Sequence, residues 1–229
     1  VRRAVLPQVN KGRGSAYPGF MHGWERLPDA ERWRIMVYLD EVQSPVPHET
    51  VHRALAQPGF HIHLGAPVET VTRDGASVAV RIAGDAAPRR HDFVIVGTGF
   101  AVDARAIPEL AAFADDIATW GDRYTPPPAL RRAALARYPY LGRGFELTER
   151  MPGRQPLLPH IHLVNHGAML SHTAIASDIP GVNIAAERVA TAITASLFAE
   201  DIDVLRGRLE AFDEPELEGT PFYAPEARR

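Results

Sequence analysis

The run H-D-F-V-I-V-G-T-G-F-A-V-D-A, residues 91–104, offers chemistry through its backbone. An apolar stretch ends in Gly97-Thr98-Gly99-Phe100. Glycines at such a bend let the main chain turn sharply and lie close to a neighbouring segment or a bound nucleotide. A second candidate lies in residues 158–193, L-P-H-I-H-L-V-N-H-G-A-M-L-S-H-T-A-I-A-S-D-I-P-G-V-N-I-A-A-E-R-V-A-T-A-I. There Asn165, His166 and Gly167 form a polar loop, and Ser177, Asp178 and Gly181 supply a turn and cap for a long helix. The N–H groups at such a helix start favour negative charge. Arg2 and Arg3 are candidates for pairing with a phosphate. His166 and His172 flank the polar loop. His61/His63 and His160/His162 have the H-x-H spacing that can serve a metal, but no acidic or further histidine partner runs in step with them, so no metal is expected. Catalytic residues in the strict sense are not identifiable. No G-x-S-x-G, H-E-x-x-H or Gly-Lys phosphate loop is present.

The elements around these residues follow from periodicity and punctuation. Residues 27–43 and 48–57 read as helices, the first stopped by Pro45 and Pro47. Residues 1–27 read as loop, and the aromatic stretch A-Y-P-G-F-M-H-G-W is a candidate pocket lining. From 60 to 84 the pattern alternates around Asp74-Gly75, predicting strand and hairpin. Residues 91–99 are continuously apolar, as expected of a strand buried on both faces. Helical segments are expected at 101–119 and 126–138, short strands at 144–149 and 160–165, helices at 181–201 and 203–212, and a tail at 213–229.

Composition narrows the function. The chain has 229 residues, 45% hydrophobic and 23% charged, which suits one good-sized domain or two small ones. A net charge of −3 gives no basic field for nucleic acid. The absence of cysteine excludes disulfides, thiolate metal sites and cysteine nucleophiles, and fits a cytoplasmic setting. No apolar run approaches the ~20 residues of a membrane span.

The order of these signals is informative. A small β-insertion, then V-G-T-G-F, then a helical stretch, a last strand and a small-residue helix resembles the C-terminal half of NAD(P)/FAD-dependent oxidoreductases of the flavin-containing monooxygenase type. The urate hydroxylase-like and amino-acid N-monooxygenase-like branches are the nearest. The resemblance implies an α/β fold: part of a two-dinucleotide-binding (Rossmann-like) flavoprotein with a small β-insertion. Residues 1–99 would end the NAD(P)-binding domain and residues 100–212 the FAD-binding domain. FAD and NADPH are the implied cofactors, with Arg2 and Arg3 at the NADPH 2′-phosphate. Gly97, Thr98, Gly99 and Phe100, then Asn165, His166 and Gly167, then Ser177, Asp178 and Gly181, would lie at the flavin. The family's usual Gly-Asp on the last strand is replaced here by Asn165-His166-Gly167. The implied partners are a small nitrogen-containing substrate and O2, with no nucleic acid and no membrane.

No G-x-G-x-x-G occurs in the chain, which begins with Val1. The resemblance places both fingerprints upstream, so the chain reads as a fragment whose further partner is the missing N-terminal half or a second copy. Two alternatives stay open at this point. One is a flavin-dependent reductase of an acceptor other than oxygen. The other is a truncated, non-catalytic binding module.

Overall fold

The computed structural model describes residues 9–14 and 17–222, with the side chains of Gly12 and Arg13 left aside. Its helices are α1 (Lys11–Gly14), α2 (Pro18–Gly23), α3 (Asp29–Val42), α4 (His48–Leu55), α5 (Trp120–Arg123), α6 (Ala133–Ala136), α7 (Met169–His172), α8 (Val182–Glu200) and α9 (Ile202–Ala211). The strands β1 (Val68–Asp74), β2 (Ser77–Ile82) and β3 (Arg89–His91) form one antiparallel sheet in the order β1-β2-β3. The fold is therefore mixed α and β. No helix among the described residues is long and apolar enough to cross a membrane.

Local chemistry accounts for the firmest elements. Pro28 precedes α3, and Asp29 and Glu31 sit in its first turn, where carboxylates complement the helix dipole. The helix ends at Gln43, whose N–H reaches the Leu39 carbonyl at 3.0 Å. Arg32, Trp33, Met36 and Val37 form its buried stripe. The predicted hairpin is present: Asp74 faces Ser77 across the turn, and Gly75 takes φ 63°.

Two adjoining clusters make the core. One gathers Trp24, Trp33, Val37, Trp120, Leu135 and Leu170, and the other Ile117, Leu141, Phe145, Leu147, Leu158 and Ile175. Met169 packs against both. Ser171 ties them: its buried hydroxyl oxygen accepts from Trp120 Nε1 at 3.0 Å and from the Leu141 N–H at 3.2 Å, and donates to the Pro139 carbonyl at 3.3 Å. The sheet stands aside from this core, with β1 exposed throughout and Val80 the one buried residue of β2.

Several expectations are corrected. Residues 93–97 take no regular structure, pair with no strand and are not buried. Phe93, Val94, Ile95 and Val96 are 85%, 40%, 96% and 76% exposed. The apolar run states a demand for burial, and no strand among the described residues flanks it. Residues 60–64 are likewise irregular and exposed. The segment 101–119 contains only short turns, and 126–138 only a short turn and the four-residue α6, with α5 falling between the two. Pro108 and Pro126 to Pro128 remove N–H donors and break the helical pattern. Residues 144–149 and 160–165 contribute isolated bridges, such as Glu146 to His162, in place of strands. Residues 11–14 and 18–26 are helical, not loop.

Candidate functional site

A cavity of about 990 Å3 opens beside α3 and α6. Its apolar walls come from Met36 and Leu39 of α3, Leu135 of α6, Val102 and Met169. Thr98, Gly99 and Phe100 enter it from the first bend, and His166, Asp178 and Pro180 from the second region. The two bends, far apart in sequence, thus meet at one hollow. The contact is direct: the Phe100 ring lies 4.9 Å from that of His166, tilted by 38°.

Each bend is held locally. Gly99 has φ 95°, a conformation that favours glycine, and a Cβ there would meet nothing within 4 Å. Gly97 has open space and no such φ, so its position makes no close approach to another segment. In the second bend the Asn165 side-chain oxygen accepts the Gly167 N–H at 2.7 Å and caps the turn His166–Ala168. Asn165 and Gly167 therefore shape the loop and are not in the cavity wall. Ser177 donates to Met169 Sδ at 3.2 Å. Gly181 is the N-cap residue of α8 but makes no side-chain cap, and Asp178 makes none either. The role of Gly181 is clearance: a Cβ would sit 2.7 Å from Ile175 Cα and 3.2 Å from Ile175 N. Gly181→Ala is expected to cost about 1–3 kcal/mol through overpacking against backbone. Urea unfolding checks it by a fall in midpoint at constant m-value.

His166 is the titratable centre of the wall. Its Nε2 lies 3.1 Å from Tyr138 Oη, a hydrogen bond that either group can donate. Burial lowers its pKa, and Asp178 partly opposes this. Burial raises the Tyr138 pKa, and Asp40 adds to it. Both groups are thus held neutral near pH 7. Arg137 and Asp40 also line the cavity. Arg132 lines it too, but its guanidinium is engaged by Glu41.

Other sequence candidates fall elsewhere. Arg2 and Arg3 lie outside the described residues. His172 is buried in the core, where Nε2 donates to the Gly142 carbonyl at 2.9 Å and Nδ1 accepts from Arg188 at 3.3 Å. Phe20 and Trp24 of the aromatic stretch pack into the core and not the cavity. His162 Nδ1 donates to the Gly144 carbonyl at 2.6 Å, and His63 lies beside Arg89. Sequence reasoning missed Tyr138, Arg137 and the α3 wall. No motif marks them, because tertiary packing alone brings α3 and α6 to the bends.

Against known proteins, the chain is 35% identical over 219 residues to a protein of Xanthomonas campestris pv. campestris named FAD-dependent urate hydroxylase. The match takes in 96% of this chain and 46% of that protein. The chain therefore spans about half the length of the curated relative it matches. No family model matches the chain, and no solved structure matches it.

Proposed function

We propose that the chain is the flavin-facing part of an FAD- and NADPH-dependent hydroxylase that acts on a small nitrogen-containing substrate such as urate, with O2 as co-substrate. The observation that carries this reading is the meeting of the Thr98-Gly99-Phe100 bend and the His166 loop in one cavity. The relative's name gives it independent support. Under this reading residues 1–99 belong to a nicotinamide-binding domain and residues 100–212 to a flavin-binding one, on a Rossmann-like plan.

The residues present fit part of the cofactor. Met36, Leu39, Leu135, Val102 and Met169 offer flat apolar surface of the kind that holds a ring system, and the volume is ample for a ring and a small substrate. No Gly-rich loop at a helix start is available for the pyrophosphate. FAD bound here would supply the redox and oxygen-activating chemistry. The chain's own part is to orient and to exclude water. Phe100 covers one side of His166, Gly99 lets the main chain turn at the cavity edge, and the α3 wall keeps the interior apolar.

Flavin fluorescence titrations test this reading. Riboflavin, which carries the ring without the pyrophosphate, and FAD are expected to bind the chain with similar, weak affinity, and micromolar FAD is expected to leave Tm unchanged. Phe100→Ala is expected to weaken both. FAD binding more than about tenfold (1.4 kcal/mol) tighter than riboflavin contradicts the missing phosphate site. Binding of neither at millimolar concentration overturns the flavin reading.

A further inference from the structure

We propose that His166 accepts a proton from the substrate in this cavity, that Tyr138 is the positioning residue for its ring, and that the substrate is a flat heterocycle with a weakly acidic ring N–H. The inference rests on the function proposed above and adds the residue that ionises the substrate.

The geometry supplies each part. Phe100, His166 and Tyr138 form an aromatic wall, with His166 centred 4.9 Å from Phe100 and 6.0 Å from Tyr138. Such a wall suits stacking of a planar ring. Tyr138 is buried and holds His166 Nε2 at 3.1 Å, so the imidazole is fixed from one side. With Nε2–H donating to the phenol oxygen, Nδ1 keeps its lone pair and is the proton acceptor. The charged groups around the pair are Asp178 before α8, Arg137 beside Tyr138, Asp40 of α3, and Arg132 with its partner Glu41. The Arg137 side chain makes no ion pair among the described residues. It is the cation able to meet an anion formed on the ring. Asp40 and Asp178 are acceptors for further ring N–H groups. A simple phosphate or carboxylate finds two carboxylates opposing it here, whereas a monoanion that still carries N–H donors satisfies both signs.

The step balances as follows. The ring N–H bond breaks and its electron pair stays on the heterocycle, delocalised as an anion. The proton joins His166 Nδ1 to give imidazolium, whose Nε2–H remains on Tyr138. Asp178 is near enough to favour that cation, and its influence on the His166 pKa is in this direction. The lowered pKa of His166 keeps it neutral, and so competent to accept, before the substrate arrives.

Nitrogen-detected NMR of the histidine rings in the purified full chain tests the proposal, with xanthine, a neutral purine whose ring N–H is weakly acidic, as probe and caffeine, its N-methylated analogue without an N–H, as control. Saturating xanthine is expected to raise the titration midpoint of His166 by about one pH unit or more, tenfold in proton affinity. Caffeine is expected to leave it in place. Tyr138→Phe is expected to shift His166 toward the Nδ1–H tautomer and to reduce the response to xanthine at least about threefold, a change that packing alone does not produce. A His166 midpoint that ignores xanthine, or that moves equally with caffeine, overturns the proposal. Riboflavin titration of the same sample separates the two readings. An unresponsive His166 in a chain that binds riboflavin sinks this inference alone, and in a chain that does not, both fall.

Discussion

Trp120→Ala is expected to lower stability by about 3–5 kcal/mol, the range for removing a fully buried large aromatic. Trp120 is wholly inaccessible to solvent and lies 5.0 Å from the Tyr140 ring and 6.4 Å from Trp33. The Arg32 guanidinium sits 4.8 Å above it, a cation over an aromatic face. Truncation therefore leaves a cavity and strips a buried cation of its aromatic neighbour. It also leaves Ser171 without the indole donor at 3.0 Å. Urea unfolding followed by circular dichroism measures the loss. Trp120→Phe keeps most of the ring and forfeits the hydrogen bond, and about 1–2 kcal/mol is expected. A Trp120→Ala cost under about 1 kcal/mol contradicts a core built around this residue.

Acidification is expected to destabilise the chain between about pH 6.5 and 4 through His172. Burial first, then Arg188 and Arg32, push its pKa down to about 4, although the Gly142 carbonyl favours the charged form. Unfolded, the same imidazole titrates near 6.5. In that window the unfolded chain binds a proton that the folded chain refuses, so stability falls as pH falls. The slope approaches about 1.4 kcal/mol per pH unit, roughly 3 kcal/mol in all. Above pH 6.5 the imidazole is neutral in both states and contributes no slope. His166, also lowered, adds in the same direction. Protonation of His172 Nδ1 would displace the Arg188 hydrogen bond and place two cations together. Denaturation midpoints across pH 4–7, compared with His172→Gln, measure the effect. The variant loses this part of the slope whatever its stability at pH 7, and an unchanged slope refutes the assignment.

Much of the fold was legible where the signal is local. The helices α3, α8 and α9 and the Asp74-Gly75 hairpin follow from prolines, helical periodicity and strand alternation. Legibility failed where structure depends on partners. The F-V-I-V run looked like a buried strand because apolar pattern reports what a segment needs, not what neighbours provide. His172 looked like a loop residue beside the site, yet Arg188 from α8 and the Gly142 carbonyl enclose it in the core. In the candidate site, the bend residues Thr98 to Phe100 and the loop residue His166 could be named from sequence, and the structure places them on one cavity. Tyr138 and Arg137 could not, since nothing in R-Y-P-Y marks proximity to a histidine further along the chain.

The bare segment Phe93–Val96 governs how the purified polypeptide keeps. A stretch of four β-prone side chains with unpaired amides is a template on which further copies can stack into fibrous deposits. Just before it Arg89 and Arg90 are engaged by Asp85 and Asp74, which leaves Asp92 as the gatekeeper whose charge opposes in-register stacking. Storage at low ionic strength, where that repulsion reaches furthest, therefore favours clear solutions.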